Sequence, residues 1–461
     1  MNPITIPNIT IPVIGLPTIG IPSVGFPSAS GGDLVWPKGL KESIKAIYDP
    51  AKQGMTNYDV IEAYAEDFTK WGKKNDRATM TVTNKTINIT NVAVPDNSVI
   101  EDNNVPFSDL VVKVTGVSEE TNLIARHINK VILVMKTDGV YKIPSNDKYI
   151  AFGVSKTGDC NIVIEQLPTS ILKDLSGNGN HAYLYGGKGK LNSGMGVYKF
   201  DFLSDLLINS AYLPYTERQY DSICSLAGHP NGWLFQYKSL TDIPTFKIEV
   251  KGIVNDKFHY RWYDENGNRG VDFVIDKDGI YEFPMSYSVE TNTGVGIVCN
   301  NICQDNVCFT QIPDYPNQLC YDGKMYAVCY DFPILTDYTV MADRTWFDNE
   351  GNRVFITKGN IWPNCAFNFE KVNASLSSET FSYSQSTNID DLIGKSGITY
   401  QTKQSYNGKV IGVGTSSDGD ILLIGGQLKG EYVGCHGKII IADRSFTEDE
   451  ITWLKDNWKK I

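Results

Sequence analysis

Apolar and polar positions alternate in short runs over much of the chain, the period-two pattern of strands that bury one face. Residues 110–117 (LVVKVTGV), 135–144 (MKTDGVYKIP) and 160–168 (CNIVIEQLP) are such runs. A second set at 246–253 (FKIEVKGI), 275–284 (IDKDGIYEFP) and 305–313 (DNVCFTQIP) matches them block for block, in the same order. Asp138-Gly139 and Asp278-Gly279 are hairpin dipeptides in which glycine supplies the positive φ. The pattern predicts a duplicated small β module over 76–170 and 243–313, with the stretch from Thr81 to Thr90 added to the first copy. No nucleophile, histidine or acid pair is shared within these blocks. The duplication therefore preserves apolar pattern and turns, as in a scaffold; a pair of sugar-binding modules is the other reading.

Helical spacing is rarer. Residues 40–47 (LKESIKAI) and 58–64 (YDVIEAY), separated by Asp49-Pro50 and Gly54, predict a short helical connector over 33–75 that ends near Trp71. Near the C-terminus the apolar run from Lys438 to Ala442 reads as a strand. Thr447 and Glu450 form a capping box for a helix whose apolar face carries Ile451, Leu454 and Trp458.

Residues 4–28 are five tandem pentapeptides, ITIPN, ITIPV, IGLPT, IGIPS and VGFPS. Pro7, Pro12, Pro17, Pro22 and Pro27 fix φ and remove an N–H, which excludes helix and leaves an extended path. Each proline follows a large apolar residue (Ile6, Ile11, Leu16, Ile21, Phe26). Because five is odd, a straight strand would turn alternate units to opposite sides, so one chain alone leaves apolar surface exposed. The expectation is an anchoring or oligomerisation segment over 1–32, with a trimer suiting the odd period. A flexible tether is the alternative, but tethers are normally polar and no charged residue precedes Asp33.

At 461 residues the chain fits several domains. A formal charge of −11 argues against a phosphate-binding surface and hence against nucleic-acid partners. Prolines interrupt the only early apolar stretch, and no Lys or Arg precedes it, so neither a signal peptide nor a membrane span is expected. The nine cysteines are scattered, which predicts mostly buried thiols. Cys299, Cys303 and Cys308 lack a CxxC pair, and the alternation around Cys308 reads as a strand rather than a zinc site.

Residues 173–182 (KDLSGNGNHA) resemble the opening motif of laminin-G-like, concanavalin-type jelly rolls. Residues 321–326 (YDGKMY) resemble that family's later turn, and the strand and capped helix at 438–451 resemble its ending. The resemblance implies a mainly β fold: a jelly-roll sandwich over 171–242 and 314–461, interrupted by the second β module, with the first module upstream. It also implies that a structural calcium could sit near the opening loop on Asp174, Asn178 and Asn180, although turn formation alone accounts for those residue types; no other cofactor is expected. The wider arrangement resembles virion proteins of Bacteroides-infecting phages, especially the crAss-like group. Membership there implies a head fibre or a capsid or tail appendage, assembled in the host cytoplasm, with other virion proteins and host glycans as partners.

Catalytic signatures are missing. The Glu-x-Asp-x-x-Glu strand of concanavalin-type glycosidases does not occur, and Asp390-Asp391 and Glu448-Asp449-Glu450 fall in a predicted loop and a helix cap. His127, His181, His229, His259 and His436 are far apart in sequence, and the adjacent Cys435 and His436 would face opposite ways on a strand. Trp233, Trp262, Trp346 and Trp362 could stack on sugars, though core positions suit them better. The sequence thus predicts a non-catalytic structural protein, with a carbohydrate-binding adhesin and a glycan depolymerase as the alternatives.

Overall fold

The computed structural model describes residues 34–56, 59, 61–102, 110–127, 130–144, 150–186, 195–196, 206–207, 214–219, 222–237, 242–287, 294–347, 354–359, 365–371, 396–410, 419–426 and 432–461. The pentapeptide segment, with Ile6, Pro7, Ile11, Pro12, Leu16, Pro17, Ile21, Pro22, Phe26 and Pro27, lies outside them. The fold is mainly β, with antiparallel sheets throughout and short helices only.

A concanavalin-type sandwich is the host of the fold. Among the described residues its two sheets have seven and six strands, and between them lies a core that includes Trp346, Tyr321, Phe355, Phe369, Ile439 and Ile441. The longest strand, Val433–Ala442, is buried along its whole length. Ile439 and Ile441 point into the sandwich, while Ile440 and Ala442 join a second apolar cluster on the outside of the seven-stranded sheet. The helix Glu448–Asp456 covers that cluster with Ile451 and Leu454, followed by Trp458. Thr447 and Glu450 form the predicted capping box, and Arg444 pairs with Glu450 at 2.6 Å. Leu34 and Trp36 pack on the same cluster, with Trp36 5.1 Å from Trp453.

The sandwich begins earlier than the sequence suggested. Among the described residues of the predicted helical connector only Leu40–Ser43 and Pro50–Gln53 are α-helical, and Ile44–Tyr48 is a strand. It pairs with the far half of Val433–Ala442, Tyr48 opposite Ile439. Leu319–Asp322 pairs with the near half, Leu319 opposite His436, so the two short strands continue each other along one edge. The helical reading failed because this strand is buried on both faces. Ala46 and Tyr48 face the core and Ile44 and Ile47 the outer cluster, which removes the two-residue alternation. The first β module is therefore inserted within the sandwich as well, although it lies upstream of the opening loop.

Among the described residues each module is a pair of five-stranded sheets, and their topologies coincide. Counting strands along each copy, one sheet runs first, fourth, ninth, sixth, seventh and the other second, third, tenth, fifth, eighth. Without the first two strands, both at sheet edges, the remaining order is that of an eight-stranded jelly roll. The first copy runs from Gly72–Lys73 to Gly158–Gln166 and the second from Leu206–Leu207 to Val307–Ile312. The second copy thus starts well before 243, and residues 206–237, predicted to belong to the sandwich, supply its first four strands.

Details recur between the copies. Gly116 (φ 83°) and Gly252 (φ 98°) let the backbone pass within van der Waals range of Asn161 and Asn306, where a Cβ would stand 1.9 and 2.2 Å from the carbonyl oxygens. The next amides, of Val117 and Ile253, donate to Asp138 and Asp278 at 3.1 and 2.8 Å. Tyr141 and Tyr281 each donate to a carbonyl oxygen four residues back, at 2.6 Å.

The copies attach differently. The second leaves and re-enters the sandwich through paired segments: Gly196 donates to Gln318 at 2.7 Å and accepts from Tyr315 at 2.8 Å. The first is joined at Glu62, a mostly buried carboxylate that accepts from the Gly186 amide of the sandwich at 2.9 Å and lies 3.5 Å from Lys85 of the copy. Burial opposes ionisation of Glu62, but these bonds outweigh it and hold its pKa below the usual carboxylate value. Nearby, Lys113 of the first copy lies 4.9 Å from the ring centroid of Tyr330, within a tyrosine cluster on the outside of the six-stranded sheet.

Candidate functional site

The opening loop turns out to be a clamp. Asp174 is buried, and its Oδ1 accepts from the amides of Ile47 (3.0 Å) and Ser176 (2.8 Å) while Oδ2 accepts from Asn180 (3.0 Å). Asn178 and Asn180 donate through Nδ2 to the carbonyl oxygens of Ile44 (2.9 Å) and Lys45 (2.7 Å). The loop thus grips the edge strand Ile44–Tyr48. This donor set does not fit a calcium site: both asparagines turn their amide nitrogens to the strand, and both carboxylate oxygens of Asp174 are already engaged by N–H groups.

The histidines do not converge. His181 accepts the Asp174 amide at Nδ1, and His229 lies beside Pro230 in the second copy. His436, inside the sandwich, meets Tyr321 at 3.0 Å through Nε2 and the Gly437 carbonyl at 2.7 Å through Nδ1. The carbonyl can only accept, which places the proton on Nδ1 and makes Nε2 the acceptor. Burial pushes the His436 pKa down to about 4, keeping the ring neutral. Its neighbour Cys435 bonds Gln318 instead, so the two form no dyad. Cys224 and Cys308 are joined in a disulfide between adjacent strands of the second copy, while Cys160, Cys299, Cys303, Cys320, Cys329 and Cys435 are free. Among the described residues no group of three His, Cys, Asp or Glu side chains could hold a metal ion.

One buried carboxylate has the density of contacts that active sites show. Glu370 receives hydrogen bonds from Trp346 (3.0 Å), Thr399 (2.6 Å) and Tyr406 (2.8 Å) and forms an ion pair with Arg344. Glu370 is 0% exposed and Arg344 3%. Burial raises the Glu370 pKa, and the adjacent guanidinium and hydrogen bonds more than offset this, leaving it lowered. This is a satisfied ion pair that ties the two sheets together, and no second carboxylate faces it in the described contacts. Glu448 accepts from Tyr400 at the helix start, and Asp390 and Asp391 lie outside the described residues.

The tryptophans separate by environment. Trp346 is core, Trp362 lies outside the described residues, and Trp262 donates to the Val271 carbonyl beneath a hairpin in which Gly270 packs on its ring. Trp233 differs: it is partly buried on the outer face of the second copy, with the Arg261 guanidinium 5.1 Å from its ring centroid. The strand Phe258–Arg261 buries Phe258 and Tyr260 in the module and turns His259 and Arg261 outward. Trp233, Val298 and His259 form one row across the sheet, and Gln236, Gly296 and Arg261 the next.

The first copy has the same position. In strand Leu123–His127, Leu123 and Ala125 are core, and Arg126 lies outward, in a row with Ala151 and Glu101. Leu123 pairs with Met135 as Phe258 pairs with Ile275, which makes Arg126 and Arg261 topological equivalents. In both copies the residue beside the arginine on the central strand is small, Ala151 or Gly296. Sequence blocks did not reveal this pair, because the flanking residues differ: Ile124 and Ala125 in one copy, His259 and Tyr260 in the other.

A cleft of about 380 Å³ lies between the 53–63 segment and strand Ile171–Leu172, lined in part by Gln53, Met55, Ser170 and Lys173. No helix among the described residues is long and apolar enough to cross a membrane.

No family model and no curated protein matches the chain. Among solved structures, a Trypanosoma rangeli sialidase in complex with the inhibitor DANA is similar over 82% of this chain and 83% of its own, at 11% identity and a TM-score of 0.21. The M60 catalytic domain with two CBM51 domains of Clostridium perfringens ZmpB is similar over 84% of this chain and 39% of its own, at 8% identity and a TM-score of 0.17. At such scores neither likeness bears on what this chain does.

Proposed function

We propose that the protein is a structural virion component, a head fibre or capsid-attached appendage, that is anchored or oligomerised through its pentapeptide segment and displays jelly-roll modules able to contact host surface glycans. The observation that carries this reading is the division of labour on the host sandwich. The chain enters from the N-terminal segment onto the outside of the seven-stranded sheet, where Leu34 and Trp36 pack with the C-terminal helix. The first module meets the outside of the other sheet, where Lys113 lies over Tyr330. A sandwich with Leu34 and Trp36 on one face and a module on the other suits a platform between an attachment point and a displayed surface. The buried, fully bonded state of Glu370 and the scattered histidines agree with a binding or structural role.

Deletion of residues 4–28 tests the anchoring part. The shortened chain should fold, lose the oligomeric state of the full chain in light scattering, and fail to enter particles. A shortened chain that keeps its oligomeric state and enters particles normally contradicts the proposal.

A further inference from the structure

From the duplicated arginine we infer that the outer sheet faces of the two modules bind carboxylated sugar units of a polysaccharide, with Arg261 and Arg126 taking the carboxylates. This rests on the glycan-contacting part of the function proposed above and names the class of glycan.

Most features that both copies retain have a visible structural task. Gly116 and Gly252 permit a close backbone approach, Asp138 and Asp278 hold an amide, and Tyr141 and Tyr281 close a turn. Arg126 and Arg261 have no polar task of this kind, although Arg261 also lies over the Trp233 ring. Among the described residues neither forms an ion pair or donates a hydrogen bond, and the Nε of each is buried with no partner. A buried, unbonded donor costs on the order of 1–3 kcal/mol. Retaining that cost twice, at equivalent positions in copies that differ around them, points to a partner outside the chain.

The surroundings indicate its chemistry. A guanidinium offers its two terminal nitrogens side by side, the geometry of a bidentate carboxylate clamp. The residue next to it on the central strand is small in both copies, Ala151 or Gly296. In the second copy the same face carries Trp233, whose ring suits the apolar side of a pyranose, and His259, whose buried Nδ1 also lacks a partner. Glu101, in the Arg126 row, is paired with Lys74 at 2.6 Å, so it does not neutralise the arginine. On a protein of charge −11, unpaired arginines on sheet faces are places where an anion gains by binding. The second copy, with its tryptophan, is the stronger site.

Isothermal titration of the full chain with oligomers of galacturonic, glucuronic and sialic acid, and with neutral galactose and glucose oligomers of equal length, tests this. At least one acidic oligomer should bind, weaken with added salt, and bind at least tenfold more weakly to Arg261→Gln; the double variant with Arg126→Gln should bind none. Arg261→Lys, which keeps the charge but not the clamp, should fall between them, and thermal melts should show each variant folded. Failure of every acidic oligomer to bind the wild type, or equal affinity in Arg261→Gln, overturns the inference. Binding of neutral oligomers alone, undiminished in the variants, also overturns it while leaving glycan contact in place.

Discussion

Tyr48 and Leu319 stand end to end on one edge of the host sandwich, opposite Ile439 and His436 of a single strand, although both modules lie between them in sequence. The sandwich can therefore close only when the chain has returned from both insertions. A chain starting at residue 34 should keep the cooperative thermal transition of the full protein. One starting at residue 49 should lose the transition of the sandwich, because Ala46, Tyr48, Ile44 and Ile47 leave two apolar clusters at once. Calorimetry of the two truncations distinguishes this from a dispensable connector, which would leave both alike.

Asp174 holds three amides, one of them on the edge strand. Asp174→Ala should lower sandwich stability by about 2–4 kcal/mol in denaturant titration, since it strands buried N–H groups that a charged acceptor now satisfies. Chelation with EDTA should leave the melting temperature unchanged, because the loop is closed by its own hydrogen bonds. A drop on chelation, restored by calcium, would contradict this account of the loop.

His436 makes stability depend on pH in a defined direction. Its folded pKa, about 4, lies below the roughly 6.5 of an unfolded histidine, so the unfolded chain takes up the proton first. The contribution is complete above about pH 6.5 and is lost as the pH falls toward 4, amounting to on the order of 3 kcal/mol. The lowered pKa of Glu370 acts in the same sense at more acid pH: its contribution is present above the ordinary carboxylate pKa and lost as the pH falls through the folded value. His436→Gln should flatten the stability profile between pH 6.5 and 4; an unchanged slope would mean that the ring is not held neutral.

The equivalence of the copies can be tested at their shared turn. Gly252→Ala places a Cβ 2.2 Å from the Asn306 carbonyl oxygen and Gly116→Ala one 1.9 Å from that of Asn161, each at positive φ. Each should cost about 2 kcal/mol or more. Hydrogen exchange should show faster opening only in the module that carries the substitution; a spread to the other copy would mean that the modules do not open independently.

The duplicated blocks were legible in the sequence because their strands bury one face and their turns need Asp-Gly, so pattern and chemistry agree at each position. The strand Ile44–Tyr48 was not legible, since both its faces are covered and Leu40, Ile44 and Ile47 happen to fall at helical spacing. Residues 206–237 were missed as module because strands as short as Thr216–Gln219 and Ser222–Ser225, four residues each, give too few positions for alternation to be read. The opening loop was recognised by its Gly and Asn residues, but its role is to grip a strand distant in sequence, which no local pattern encodes. Arg126 and Arg261 became equivalent only through the strand register, because their neighbours have diverged.

The central claim is attachment to a virus particle with the modules displayed. Mass spectrometry and antibody labelling of purified particles, with antibodies against the second module, test it most directly. The account predicts a fixed number of copies per particle, released only when the particle is disrupted, with the module accessible on intact particles. Absence from purified particles, with the protein left wholly in the soluble lysate, would contradict it.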